Sequence, residues 1–260
     1  MLSKSVFLLA GAGFAVAQSI SSQCSSTLVT IAGSPDSACL NPSGIVQIAL
    51  TNSNSSIIPA VDSWLTGLCA LGPCSNSSLQ AVATNLTGGC SSELASLGLT
   101  PNGSTNLTVY LEEAYPTLRQ VLCLKDTSAN ELCATEELTG VQNSTGTLTI
   151  NNFISVVGQI VSGSGSIPQS VTCSNCSKAG YTIADQNFPA LVSNTTSTVQ
   201  QTCGSSFTDG QVPSGIEETA SNSSSSSGGS TGGAVSLSVN SLSMGVTMLV
   251  VVSSVFAIFA

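Results

Sequence analysis

Any chemistry in this chain has to be done without histidine, because the sequence contains none. That removes Ser-His-Asp triads, Cys-His dyads and most zinc-enzyme ligand sets in one step. What remains is one Cys-x-x-Cys pair, Cys173 and Cys176, and scattered carboxylates. A redox pair needs thiols of lowered pKa at a strand–helix junction, and a zinc site needs two further thiolates. In an oxidising compartment both give way to half-cystines that pair with each other or with distant partners. Glu112-Glu113 and Glu136-Glu137 are sequence neighbours, so on a helix they diverge by about 100° and cannot converge on one bond. A distant pair such as Asp62 with Glu113 would suit a glycan-active hydrolase. Against it, a single Trp and few other aromatics supply little of a sugar platform. The acids are therefore expected on solvated faces, with Arg119 and Lys125 in helix-surface ion pairs among them. Gly228-Gly229-Ser230-Thr231-Gly232 fits the nucleophile-elbow pattern, but within a Ser/Gly linker that offers no strand, helix or base. The expectation is no enzyme, no cofactor and no metal.

The cysteines point to a scaffold instead. Cys24, Cys39, Cys69, Cys74, Cys90, Cys123, Cys133, Cys173, Cys176 and Cys203 form an even set of ten. They predict five disulfides in a secreted protein, with the connectivity open. The absence of a Cys-Cys doublet argues against hydrophobins and plant-type lipid-transfer proteins. Charged residues make up only 7% of the chain, with a net charge of −9, so no basic surface exists for nucleic acid. Hydration is expected from sugar. N-glycosylation sequons stand at Asn54, Asn76, Asn85, Asn102, Asn106, Asn143, Asn194 and Asn222. Asn175 also fits the pattern but sits between two cysteines, and Ser223 to Ser230 suits O-linked sugar.

Both ends carry an address. Residues 1–17 hold Lys4, an apolar run and Ala15-Val16-Ala17, the layout of a signal peptide cleaved before Gln18. After Glu218 there is no charge. A Ser/Gly-rich linker (217–233) leads to residues 234–260, a spacer and an apolar tail with no basic flank. That is the pattern of a glycosylphosphatidylinositol (GPI) anchor signal, removed on attachment at Ser230, Gly232 or Gly233, with Ser227 as a further candidate.

Between these ends, residues 18–216 predict one mainly α domain of six to eight short, disulfide-cross-linked helices. Cys24, Leu28 and Ile31 keep helical spacing, as do Val61, Trp64, Leu65 and Leu68 after Pro59. Gly72-Pro73 ends that helix. A long stripe runs from Leu79 to Leu97, and Pro116 is expected to restart a helix through Cys123. Beyond Cys133 the pattern weakens, with a short extended piece predicted over 145–150 and a helix carrying Phe153, Val156, Val157, Ile160 and Val161. Two helices are expected over 173–185 and 189–203.

Several segments resemble a family. They are Trp64-Leu65-Thr66-Gly67-Leu68-Cys69 with Cys74-Ser75-Asn76, Tyr115-Pro116-Thr117-Leu118-Arg119 with Cys123-Leu124-Lys125-Asp126, Cys173-Ser174-Asn175-Cys176, Cys203-Gly204, and Phe207-Thr208-Asp209-Gly210 with Pro213-Ser214-Gly215-Ile216. Over residues 21–216 the chain is similar to an uncharacterised family of secreted, cysteine-rich, often GPI-anchored proteins of mushroom-forming fungi. The resemblance implies the address and the disulfides, and brings no catalytic residues. The functional expectation is a non-enzymatic, GPI-anchored surface glycoprotein, structural or adhesive in the cell envelope. Its partners would be the membrane, through the lipid, and cell-wall polysaccharide. The alternative is a helical carrier of a small apolar ligand, a lipid or sterol, bound between helices.

Overall fold

In the computed structural model the described residues are 21–96, 104–153, 155–156, 159, 167–193 and 195–222. The expected signal peptide, the tail, Ser227, Ser230, Gly232, Gly233, Asn102 and Asn194 lie outside them. Among the described residues the fold is mainly helical, as the periodicity predicts. The first half holds α1 (Ser22–Ala32), α2 (Pro42–Ala49), α3 (Ile58–Ala70), α4 (Asn76–Gly89), α5 (Ser91–Ser96) and α6 (Ser104–Leu122). The second holds α7 (Cys133–Thr145), α8 (Gln169–Thr172), α9 (Asn175–Asn187), α10 (Pro189–Val192) and α11 (Thr196–Cys203).

Local chemistry sets the boundaries. Ser21, Ser75 and Ser174 cap α1, α4 and α9, each hydroxyl accepting from the amide three residues on. Pro42 and Pro59 occupy first turns, where a missing N–H costs nothing. Gly44 lets α2 lie against α3, since a Cβ there would stand 2.9 Å from the Trp64 Cα. The Trp64 indole N–H donates to the Leu40 carbonyl at 3.0 Å.

Among the described residues the helix count exceeds the expected six to eight. The 79–97 stripe breaks at Cys90, where φ −120°, ψ 28° ends α4. The 189–203 helix divides into α10 and α11. Conversely, α6 continues through Pro116, which is exposed and removes one i→i−4 bond, to the Glu112 carbonyl, without ending the helix. No strand forms at 145–150. Leu148 is buried there instead, its carbonyl accepting from Ile57 N and its amide donating to the Gln142 side chain. Phe153 and Val156 are helical and pack on the core, whereas Val157, Ile160 and Val161 lie outside the described residues.

A small antiparallel sheet was not anticipated. Its order is β2 (Glu131–Leu132), β1 (Leu124–Asp126), β3 (Ile216–Glu218). The Asp126 carboxylate accepts from the Ser128 and Ala129 amides in the β1–β2 turn, and Asn130 takes the left-handed conformation (φ 57°). Because β3 belongs to the sheet, the fold continues past Ile216. Thr219 N donates to the Cys123 carbonyl and Ser221 N to that of Cys69.

All ten cysteines are paired: Cys24–Cys90, Cys39–Cys74, Cys69–Cys123, Cys133–Cys176 and Cys173–Cys203. Each bridge stabilises by roughly 2–4 kcal/mol. Three buried clusters complete the core. The largest joins Leu65, Leu68 and Val121 to Cys176, Ala179 and Ile183. A second centres on Ile57, Leu138 and Leu148, and a third sets Tyr181 edge-on to Phe207. Non-reducing peptide mapping is expected to return these five pairs, with no iodoacetamide adduct on the denatured, unreduced chain. Labelled Cys173 and Cys176 would revive the redox reading.

Candidate functional site

Cys173 and Cys176 do not pair with each other, so the Cys-x-x-Cys forms no exchangeable ring. Cys176 ties α9 to α7, and Cys173 ties the α8–α9 junction to α11. Two groups of metal-ligand types come together among the described residues: Cys24, Cys90 and Glu93, and Asp126, Glu136 and Cys176. In both, the sulfur is consumed in a disulfide, and a disulfide offers no thiolate.

The acids divide in a way the sequence reading did not foresee. Glu137 does not lie on a solvated face. It is 2% exposed, between α7 and α9. Its Oε1 contacts the Ser174 hydroxyl and lies 3.1 Å from Ser177 Oγ, while its Oε2 has no partner. Burial pushes its carboxyl up to about 7, against the pull of those two hydroxyls. Proton counting agrees. Ser177 has one hydroxyl proton, and Val171 O, at 2.8 Å, is the nearer acceptor. That one proton is shared between Val171 O and Glu137 Oε1, so the carboxylate is incompletely satisfied even with Ser174 Oγ donating to the same oxygen. Glu136 is half-buried beside the Cys176 sulfur, 3.4 Å away, and is also raised, by burial and then by the charges of Asp126 and Glu131.

Arg119 departs from expectation too. Instead of a surface ion pair, it is 4% exposed, and its guanidinium donates to the carbonyls of Leu71 and Ser221, the latter at 3.2 Å. The ion pair found among the described residues is Lys178–Asp209, at 2.8 Å.

One site with room for a ligand among the described residues is a groove of about 580 Å³ along α3. Ile58, Asp62, Thr66 and Ala70, each four residues from the last, line its floor. Lys125, Glu131 and Leu132 of the hairpin and Thr135 of α7 form the walls, with Thr219 also in the lining. Asp62 is fixed by the Thr135 hydroxyl at 2.7 Å. Glu113, the example of a distant partner for it, does not line the groove; Glu131 does. The i, i+4 spacing along α3 was readable, but its partner wall, a two-residue strand, carried no periodic signal.

Asn54, Asn76, Asn85, Asn143 and Asn222 are exposed, and so is Asn175, despite its cysteine neighbours. Asn106 falls in the first turn of α6. No helix among the described residues is long and apolar enough to cross a membrane. Comparison with protein-family models, with curated proteins and with solved structures finds no match for this chain.

Proposed function

We propose that this chain is a secreted, GPI-anchored glycoprotein whose disulfide-stapled domain stands on the outer face of the cell. Its role there is non-catalytic, structural or adhesive in the envelope. The observation that carries the reading is the complete pairing of ten cysteines, chemistry that persists only where thiols are oxidised. The exposed sequons fit glycosylation during secretion, and the Ser/Gly stretch after Asn222 fits a stalk. The likeness to secreted fungal proteins belongs to the same proposal. A carrier of lipid or sterol would need an enclosed apolar cavity, whereas the groove on α3 is open and bears Asp62, Lys125 and Glu131. A hydrolase would need a raised acid facing a second carboxylate across a substrate cleft, whereas Glu137 is sealed from solvent and Glu136, also raised, does not line the groove.

Phosphatidylinositol-specific phospholipase C is expected to release the protein from intact cells. The released form should lack every residue beyond about Gly233, the length the anchor-signal pattern sets. Recovery of the peptide 250–260 from the mature, membrane-bound protein would overturn the anchor.

A further inference from the structure

The groove along α3 has a lining whose chemistry selects its ligand. Its floor is straight, four residues at i+4 spacing over a helix of thirteen residues, about 18 Å long. Both signs of charge stand in it. Asp62 and Glu131 bring carboxylates and Lys125 an ammonium, and none of the three is in an ion pair among the described residues. Two carboxylates and one ammonium disfavour an anion, while a cation drawn to Asp62 or Glu131 also meets Lys125. A hydroxyl group suits both signs, because it donates to a carboxylate and accepts from an ammonium. Thr66 adds a hydroxyl of the same two-way character, the hydroxyls of Thr135 and Thr219, which donate to Asp62 and to the Cys123 carbonyl, are left as acceptors, and Ile58 and Leu132 supply apolar contact for C–H faces.

We propose that this groove binds a short stretch of a linear, neutral, hydroxyl-rich chain, an unbranched oligosaccharide segment. The proposal deepens the adhesive reading above by giving it a ligand class and a site. No aromatic residue is found in the groove lining, so stacking contributes nothing and single-site affinity is weak, on the order of 1 mM. Lipid anchoring compensates, since many copies on one surface engage one polymer at high effective concentration.

The test uses the purified full chain in solution, away from any membrane, so its outcome is independent of phospholipase release. Isotope-labelled protein is titrated with linear glucose and N-acetylglucosamine hexamers to about 10 mM. Hexalysine, hexagalacturonate and a branched high-mannose glycan serve as comparators. Saturable amide shifts at Thr66, Ala70, Asn130 and Thr219 with a neutral linear hexamer are expected. Lys125→Gln and Glu131→Gln, both at positions without a hydrogen-bonded side chain among the described residues, should each weaken binding at least about fivefold while leaving the thermal midpoint in place. Shifts outside the groove, no shift with either neutral hexamer, or tighter binding of a charged or branched comparator would overturn the assignment.

Discussion

Replacing Glu137 with Gln is expected to flatten the stability of this protein between pH 4.5 and 8, where the unsubstituted chain loses about 3 kcal/mol. The sign follows from the direction of the shift. In the unfolded chain the carboxyl titrates at its ordinary 4.5, and in the fold at about 7. The fold therefore holds the proton more tightly than the coil does. Its stabilisation is fully present below pH 4.5, falls as pH rises, and is gone above about pH 7. The structural reason is the unpartnered Oε2 and the shared Ser177 proton, which leave an ionised Glu137 buried and undersatisfied. Glu136, raised for related reasons, adds to the same slope. Asp126 and Asp209 act oppositely: hydrogen bonds, from Ser128 and from Lys178 respectively, hold both below the ordinary 3.8, so their stabilisation is lost only as pH falls further. Stability should thus peak in mildly acid solution. Urea unfolding of both forms across this range is the measurement. A slope that survives Glu137→Gln undiminished would place the titrating group elsewhere.

Glu137 also shows where sequence reasoning stopped. Ala134, Leu138 and Val141 have helical spacing, so α7 was legible in principle. Two adjacent glutamates suggested a wet surface, and only the arrival of α9, forty residues later, buries one of them. The helices α1 and α3 stand where the apolar spacing puts them, although Leu28 of α1 is exposed, because such spacing is a local property. The sheet was invisible for the opposite reason. Strands of two or three residues carry no period, and the pairing of β3 depends on Ile216 meeting Asp126 across 89 intervening residues. The five disulfides were foreseeable as a number but not as a pattern, since pairing follows from which helices pack. Of the groove, the α3 floor lay in plain spacing, while Glu131 and Thr219 come from the sheet and from the segment just after it.

The disulfide pattern gives the segment after β3 its importance. Three bridges lie within residues 24–123 and two within 133–203, so no covalent bridge joins these halves. They are held by the buried cluster of Leu65, Val121, Cys176 and Ile183, and by the closing segment 216–221, which lies back on the first half. Arg119 fastens it. From α6 its guanidinium donates to Leu71 O at the end of α3 and to Ser221 O, while Ser221 N donates to Cys69 O at 2.8 Å. Arg119→Met keeps the apolar bulk and removes both donors, leaving two carbonyls short of a partner. A loss of about 3 kcal/mol is expected, from two hydrogen bonds to a charged group at about 1.5 kcal/mol or more each. Hydrogen exchange at the Thr219 and Ser221 amides should accelerate more than exchange in α9, because the segment detaches before the core opens. Arg119→Lys, which retains a charge on a shorter side chain than the one that carries Nη2, the nitrogen donating both bonds, should recover part of the loss. The salt dependence separates this arrangement from the surface ion pair that the sequence suggested. A charge on a residue only 4% exposed is little screened, so the cost of Arg119→Met should be the same at low and high ionic strength. A cost below about 1 kcal/mol that disappears in high salt would return Arg119 to the surface, and the closing segment would need another fastening.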